Sequence, residues 1–216
     1  CVTAFGFDPS LAFTYHNAVI ESDQRAVFDL YMELLSKHHI SPYNPAALDP
    51  IRYDWPLVSE WRNHRRDGAE NAEPATQESL QEVFRSAFDW TGWDAAMTKA
   101  MEHYHFNNFQ LNVPGLGGGT FHARTEPSLL GYGEDTDEYK MAFTAWCREV
   151  EAHLKEKGWL DRAFVYWFDE PDPKDYAFVM NGFAKLKNAA PGLNRMLTEQ
   201  IEEELVGGPN IWCPLT

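Results

Sequence analysis

The run AFVYWF, Ala163 to Phe168, is apolar at every position and gives way at once to the acidic, proline-broken stretch DEPDP. An alternating pattern would leave one strand face for water, whereas an unbroken run suits a strand covered on both faces. That is the signature of a parallel sheet packed under helices. Parallel neighbours need a crossover, usually a helix, so this one run predicts strand–helix alternation along the chain.

The rest of the sequence follows that alternation. TAFGF (Thr3 to Phe7) reads as a first strand. Ser22 is placed to cap a helix reaching about His38, with Val27, Leu30, Tyr31, Leu34 and Leu35 at helical spacing. ISPYNP (Ile40 to Pro45) reads as a short second strand. From about Leu48 to Glu78 the chain is polar and irregular and reads as a solvated surface loop. Thr91 is placed to cap a helix to about Tyr104, with Trp93, Ala96, Met97, Ala100 and Met101 on one face. NFQLNV (Asn108 to Val113) reads as a third strand, ended by PGLGGG. Asp135 with Glu138 reads as a capping box for a helix to about Lys157, whose inward positions are Met141, Trp146, Val150 and Leu154. After the AFVYWF strand comes a helix from about Pro173 to Asn188, then RMLTEQ and IWCPLT as fifth and sixth strands.

The alternation gives an α/β class with a parallel sheet. Two architectures fit it, a doubly wound sheet and a (β/α)8 TIM-type barrel of which about six strands are present. The chain stops directly after a strand, which favours the incomplete barrel. The expectation is one catalytic (β/α) barrel domain over residues 1–216, truncated at both ends.

Composition narrows the partners. With 44% hydrophobic and 14% aromatic residues over 216 positions, the chain can bury a substantial core. A net charge of −15 argues against nucleic acid and anionic membranes, which need a basic surface. No apolar run approaches the roughly 20 residues of a membrane span. Cys1, Cys147 and Cys213 are far apart and imply neither a zinc site nor a disulfide framework. The glycine run 117–119 lacks the spacing of a phosphate or dinucleotide loop and reads as a flexible loop. Glu102, His103 and His105 lie at a helix end before a strand, where the helix dipole favours histidine, and no metal or other cofactor is expected.

In parallel α/β proteins the active site lies at the C-terminal ends of the strands. The residues there are Tyr43 and Asn44, Asn112, Asp169 and Glu170, and Thr198 and Glu199. Within DEPDP, Asp172-Pro173 is a helix-start pair, and Pro171 disfavours helical geometry at Glu170, keeping it extended. Asp169 and Glu170 are left without a local structural task. Adjacent carboxylates at the mouth of a buried strand favour one proton donor and one anion near neutral pH, the pairing used in glycoside hydrolysis. Neighbouring residues reach one side of a glycosidic bond more naturally than both faces. The pair therefore suits a substrate-assisted mechanism, in which the sugar's own 2-acetamido oxygen attacks the anomeric carbon.

Several segments in order along the chain carry a resemblance: TAFGFDPS, HHISPYN, FDWTGWDAAM before NNFQLNV, FDEP after an aromatic strand, and NIWCPLT. Together they resemble the catalytic domain of glycoside hydrolase family 123, the β-N-acetylgalactosaminidases. The resemblance implies a retaining glycosidase acting on terminal β-linked N-acetylgalactosamine, with an N-terminal β-sandwich outside this sequence and a secreted or periplasmic location. It implies Glu170 as general acid/base and Asp169 as the group that orients the acetamido and stabilises an oxazolinium. Stacking and hydrogen-bonding candidates for the carbohydrate are Tyr15, Tyr43, Asn44, Trp55, Asn112, Trp167 and Trp212. Trp93 and Trp146 lie on helix faces and belong to the core. Trp167 shares strand parity with Asp169, which suits either inward packing or substrate contact. The competing readings are a non-catalytic carbohydrate-binding protein on a degenerate barrel, and a glycosidase for another sugar.

Overall fold

The computed structural model describes residues 4–5, 8–14, 19–67 and 76–214. Their fold is mixed α/β, with helices set between short strands. The chain divides into two compact units, one of residues 1–52 with 88–111, the other of residues 53–87 with 112–216.

In the first unit, strand Ala4–Phe5 pairs in parallel with Ser41–Pro42, and helix Glu21–Lys37 lies between them in the chain. The strand and helix expected here are present, and of the expected apolar positions Leu35 is buried and Val27 and Tyr31 pack against the core, with the face rotated toward Phe28 and Met32. Phe28, Met32 and Leu35 are buried with Phe13, Ala100, Tyr104 and Phe106, whereas Leu30 and Leu34 are exposed. Burying each such side chain is worth about 1.5–3 kcal/mol, so the aromatic and methionine positions set the rotation of the helix. The expected caps shift as well. Ile20 occupies the N-cap position of this helix, and the Ser22 hydroxyl bonds Asp23. The next helix begins at Thr91 and ends at Thr98, where it passes into a π-helical turn, Lys99–His103. Its first N–H donates to Asp89 Oδ1 at 3.1 Å, and the Thr91 hydrogen bonds hold that carboxyl below its ordinary value.

The second unit contains the sheet that AFVYWF predicted. Strand Ala163–Val165 pairs in parallel with Asn194–Leu197, which pairs in parallel with Ile211–Trp212. The run is not one uniform strand. It breaks at Tyr166–Trp167, and Phe168–Asp169 then pairs in parallel with Gly118–Thr120 on the other side. Helices Asp137–Glu156 and Tyr176–Ala189 supply the core that the apolar strand requires. Trp146, Val150 and Leu154 come from the first, and Val179, Phe183 and Leu186 from the second.

Three local expectations change here. The long helix is capped by Thr136, whose hydroxyl accepts from Tyr139 N–H at 3.2 Å, and not by Asp135. Asp172 makes no side-chain cap. Pro173–Asp175 is a 3-10 turn leading into the helix, and Asp172 pairs with Lys174 at 3.2 Å. The polar stretch 48–78 is not wholly loop, since it contains strand Arg52–Asp54 and helix Val58–Asp67, with Trp55 and Val58 buried. Packing of these few apolar residues organises a segment whose mean composition is that of a solvated surface. Among the described residues the strand pairings do not close into a barrel, and no helix is long and apolar enough to cross a membrane.

Candidate functional site

The site is built where three parallel strands end side by side. Asp169 is in register with Thr120 on one neighbour and forms a parallel bridge with Thr198 on the other. Gly119 lets the hairpin close on itself, because a Cβ there would meet Ala123 O at 2.5 Å on the other arm. The glycine run is therefore a strand. It forms an antiparallel hairpin with Arg124–Thr125 as well as the parallel pairing to Phe168–Asp169.

Asp169 is held by hydroxyls. Its Oδ1 accepts from the Tyr166 hydroxyl in a short bond and from Thr198 Oγ1 at 2.9 Å. Thr198 Oγ1 in turn accepts the Glu170 N–H at 3.1 Å, and it lies 3.1 Å from the Tyr166 hydroxyl. One threonine thus ties the carboxylate of Asp169 to the backbone of Glu170. Tyr166 and Thr198 were not among the candidate binding residues. The break in the apolar run at Tyr166 is visible only in the fold, and Thr198 could have been singled out from its place at a strand end.

The Glu170 backbone departs from expectation. Its φ is +45°, in the left-handed region, and not the extended geometry that Pro171 favours. The tertiary bond to Thr198 outweighs the local preference. Three other described non-glycine residues have positive φ. His39 and His105 follow helical segments, and Leu130 sits in a two-residue hairpin with Gly131, all places where the chain must reverse. Glu170 is at neither kind of turn. Holding an L-residue there costs of order 1–3 kcal/mol, and the geometry persists only where the surrounding contacts over-determine it. Among the described residues no hydrogen bond or ion pair engages the Glu170 carboxylate, and both acidic residues are half-buried.

The aromatic candidates separate into two groups. Trp212 is half-exposed and ends the strand beside Leu197, one strand beyond Thr198 on the same row of strand ends. Trp167 instead lies against the helix Tyr176–Ala189. Its ring is 5.6 Å from Phe178 and 6.0 Å from Phe183, and it fills the space above Gly182, where a Cβ would come within 2.3 Å of the indole. Trp55 is 8% exposed and meets Tyr53 edge-on at 5.3 Å, while Tyr53 meets Trp146 at 5.6 Å. Trp55 and Trp167 are thus packing residues, and the parity argument for Trp167 fails because the strand breaks before Asp169. Asn112 is an exposed residue of the second unit. Tyr43 and Asn44 belong to the first unit, where the Tyr43 carbonyl accepts from Gln110 N–H at 2.8 Å. Tyr15 lies outside the described residues.

Among the described residues no group of three or more His, Cys, Asp or Glu side chains gathers as a metal site. The arrangement offers two carboxyl groups on consecutive backbone positions, one clamped by hydroxyls at Asp169 and one unengaged at Glu170. No protein-family model matches this chain, and no curated protein matches it.

Proposed function

We propose that the protein is a glycoside hydrolase that removes terminal β-linked N-acetylgalactosamine with retention, by substrate assistance, on a (β/α)-barrel framework. The observation that carries this reading is the division of labour between adjacent carboxylates. Asp169 is clamped by two hydroxyls, whereas Glu170 is held only through its backbone.

In the first step Glu170, as the acid, gives its proton to the glycosidic oxygen as the bond from that oxygen to C1 breaks. The carbonyl oxygen of the 2-acetamido group bonds to C1 from the opposite face, forming an oxazolinium, and the aglycone leaves as an alcohol. Asp169 accepts the amide N–H and offsets the positive charge that develops there. Its rigid hydroxyl contacts mean that little reorganisation accompanies that charge. In the second step Glu170, now a carboxylate, takes a proton from water. The water oxygen bonds to C1 on the face the aglycone left, and the acetamido oxygen departs, so the β configuration returns. A two-carboxylate route needs groups placed across the sugar, about 5 Å or 6.5–9.5 Å apart, which consecutive residues do not naturally provide. The galacto preference and the acetamido requirement rest on the family resemblance.

The test is hydrolysis of aryl 2-acetamido-2-deoxy-β-galactoside beside the β-glucoside. Wild type cleaves the galactoside, a thiazoline mimic of the oxazolinium inhibits it, and Glu170→Gln loses at least about 100-fold in kcat. Full activity in Glu170→Gln sinks the assignment.

A further inference from the structure

The left-handed backbone of Glu170 needs contacts that hold it from more than one side. Thr198 fixes the near side, through the Glu170 N–H. The far side is fixed by the hairpin that joins Gly118–Thr120 to Arg124–Thr125. Arg124 Nη1 meets Asp175 Oδ1 at 3.2 Å, and Lys174 Nζ donates to the Phe121 carbonyl at 3.1 Å. The same hairpin carries Thr120, the register partner of Asp169. One hairpin therefore holds both ends of the segment 169–175, with Glu170 between them. We propose that Arg124 is a positioning residue for Glu170, its ion pair with Asp175 being the far anchor that keeps the glutamate backbone left-handed. For its effect on catalysis the proposal rests on reading Glu170 as the acid of the reaction.

Burial makes Arg124, and not Lys174, the anchor. Asp175 is 4% exposed, and among the described residues no other hydrogen bond or ion pair engages its carboxylate. Removing Arg124 leaves a buried charge without compensation, a larger penalty than the loss of an exposed pair. Lys174 is more than half exposed, as is Asp172 beside it, so water competes for both. Arg124 is itself fixed from two further sides. Its Nε meets Glu126 Oε1 at 3.0 Å, and its guanidinium lies 4.8 Å from the ring of Phe178, in the first turn of helix Tyr176–Ala189. The chain between the anchors is stiff. Asp175 N–H donates to the Asp172 carbonyl at 2.8 Å, and Pro171 and Pro173 each fix φ. A displacement at Asp175 is therefore passed back to Glu170 instead of being absorbed on the way. Released at that end, Glu170 returns to the extended geometry that Pro171 favours.

The experiment couples Arg124 to the strain itself, by urea unfolding of the full chain. Glu170→Gly relieves the strain and raises the folding equilibrium constant about 2–5-fold when Arg124 is present. Arg124→Met keeps the stem against Phe178 and removes the charge and its donors, and in that background the glycine substitution gives no gain. An equal effect of Glu170→Gly in both backgrounds overturns the anchor. Should Arg124→Met fail to fold, Arg124→Met with Asp175→Asn removes both charges and serves as the background. In steady-state assays Arg124→Met lowers kcat on the aryl 2-acetamido galactoside about 10-fold with little change in KM. Arg124→Lys restores part of that rate. Arg25→Met, which breaks the exposed Arg25–Asp49 pair of the first unit, stays within about 2-fold of wild type. An unchanged kcat in Arg124→Met overturns the positioning role. Coupling in a protein that hydrolyses no 2-acetamido glycoside retains the anchor and rejects the cleavage reading. Hydrolysis without coupling does the reverse.

Discussion

Asp29 and Asp169 each accept a hydrogen bond from a tyrosine hydroxyl, in different surroundings. In the first unit Tyr104 donates to Asp29 Oδ1 at 3.2 Å, and Lys99 sits on the same oxygen at 2.8 Å. In the second, Tyr166 and Thr198 converge on Asp169 Oδ1, and among the described residues no cation accompanies them. The charge of Asp29 is neutralised where it stands, in a half-exposed ion pair worth about 0–1 kcal/mol. Asp169 is oriented by neutral donors, so its charge remains available to a positive centre arriving from outside. The same tyrosine–aspartate bond stands beside a lysine in one setting and without a cation in the other, where we propose that the carboxylate serves the reaction.

That contrast is broken most directly by neutralising each aspartate in turn. Asp169→Asn is expected to lower kcat on the aryl 2-acetamido galactoside at least about 100-fold, whereas Asp29→Asn stays within about 2-fold of wild type. Equal losses in steady-state assays would erase the distinction. A smaller effect tests the clamp. Thr198→Val removes the hydroxyl that joins Asp169 to the Glu170 N–H, and about 1.4 kcal/mol of lost positioning lowers kcat about 10-fold with little change in KM. Thr198→Ser restores the rate. A loss in Thr198→Val that serine does not rescue would point to packing of the methyl group instead.

The smallest effect concerns strain. Glycine enters the left-handed region without the penalty an L-residue incurs, so Glu170→Gly should stabilise the fold by about 0.5–1 kcal/mol in urea denaturation while abolishing hydrolysis. A mutation that raises stability and removes activity marks a position held against its own preference. Loss of stability in Glu170→Gly would mean that the glutamate side chain contributes packing that outweighs the backbone strain.

Much of this organisation is legible in the sequence because it depends on local pattern. The continuous apolar run fixes a doubly covered parallel strand, and Asn194–Leu197 and Ile211–Trp212 pair beside it in parallel. The adjacency of Asp169 and Glu170, and their place after that strand, are also sequence facts. Local signals mislead where the tertiary environment competes with them. Ser22, Asp135 and Asp172 are good capping residues, yet Ile20 and Thr136 occupy two of the N-cap positions and Asp172 turns to Lys174. A cap is worth only about 1 kcal/mol, less than the burial of one aromatic side chain, so packing chooses the helix start. The segment 52–67 was unreadable for a related reason. A few buried side chains such as Trp55 and Val58 organise it, and composition averages them away.

The sequence by itself determined the class of fold and which two carboxylates stand without a local task. Only the tertiary structure decided how they are held. The break at Tyr166–Trp167 sends one aromatic ring under a helix and the other side chain's hydroxyl to Asp169. Thr198, 28 residues beyond Glu170, sets the Glu170 backbone against the preference of its proline neighbour. Hydrogen bonds between residues so far apart in sequence form only when the strands that carry them are side by side, and no local pattern records that proximity.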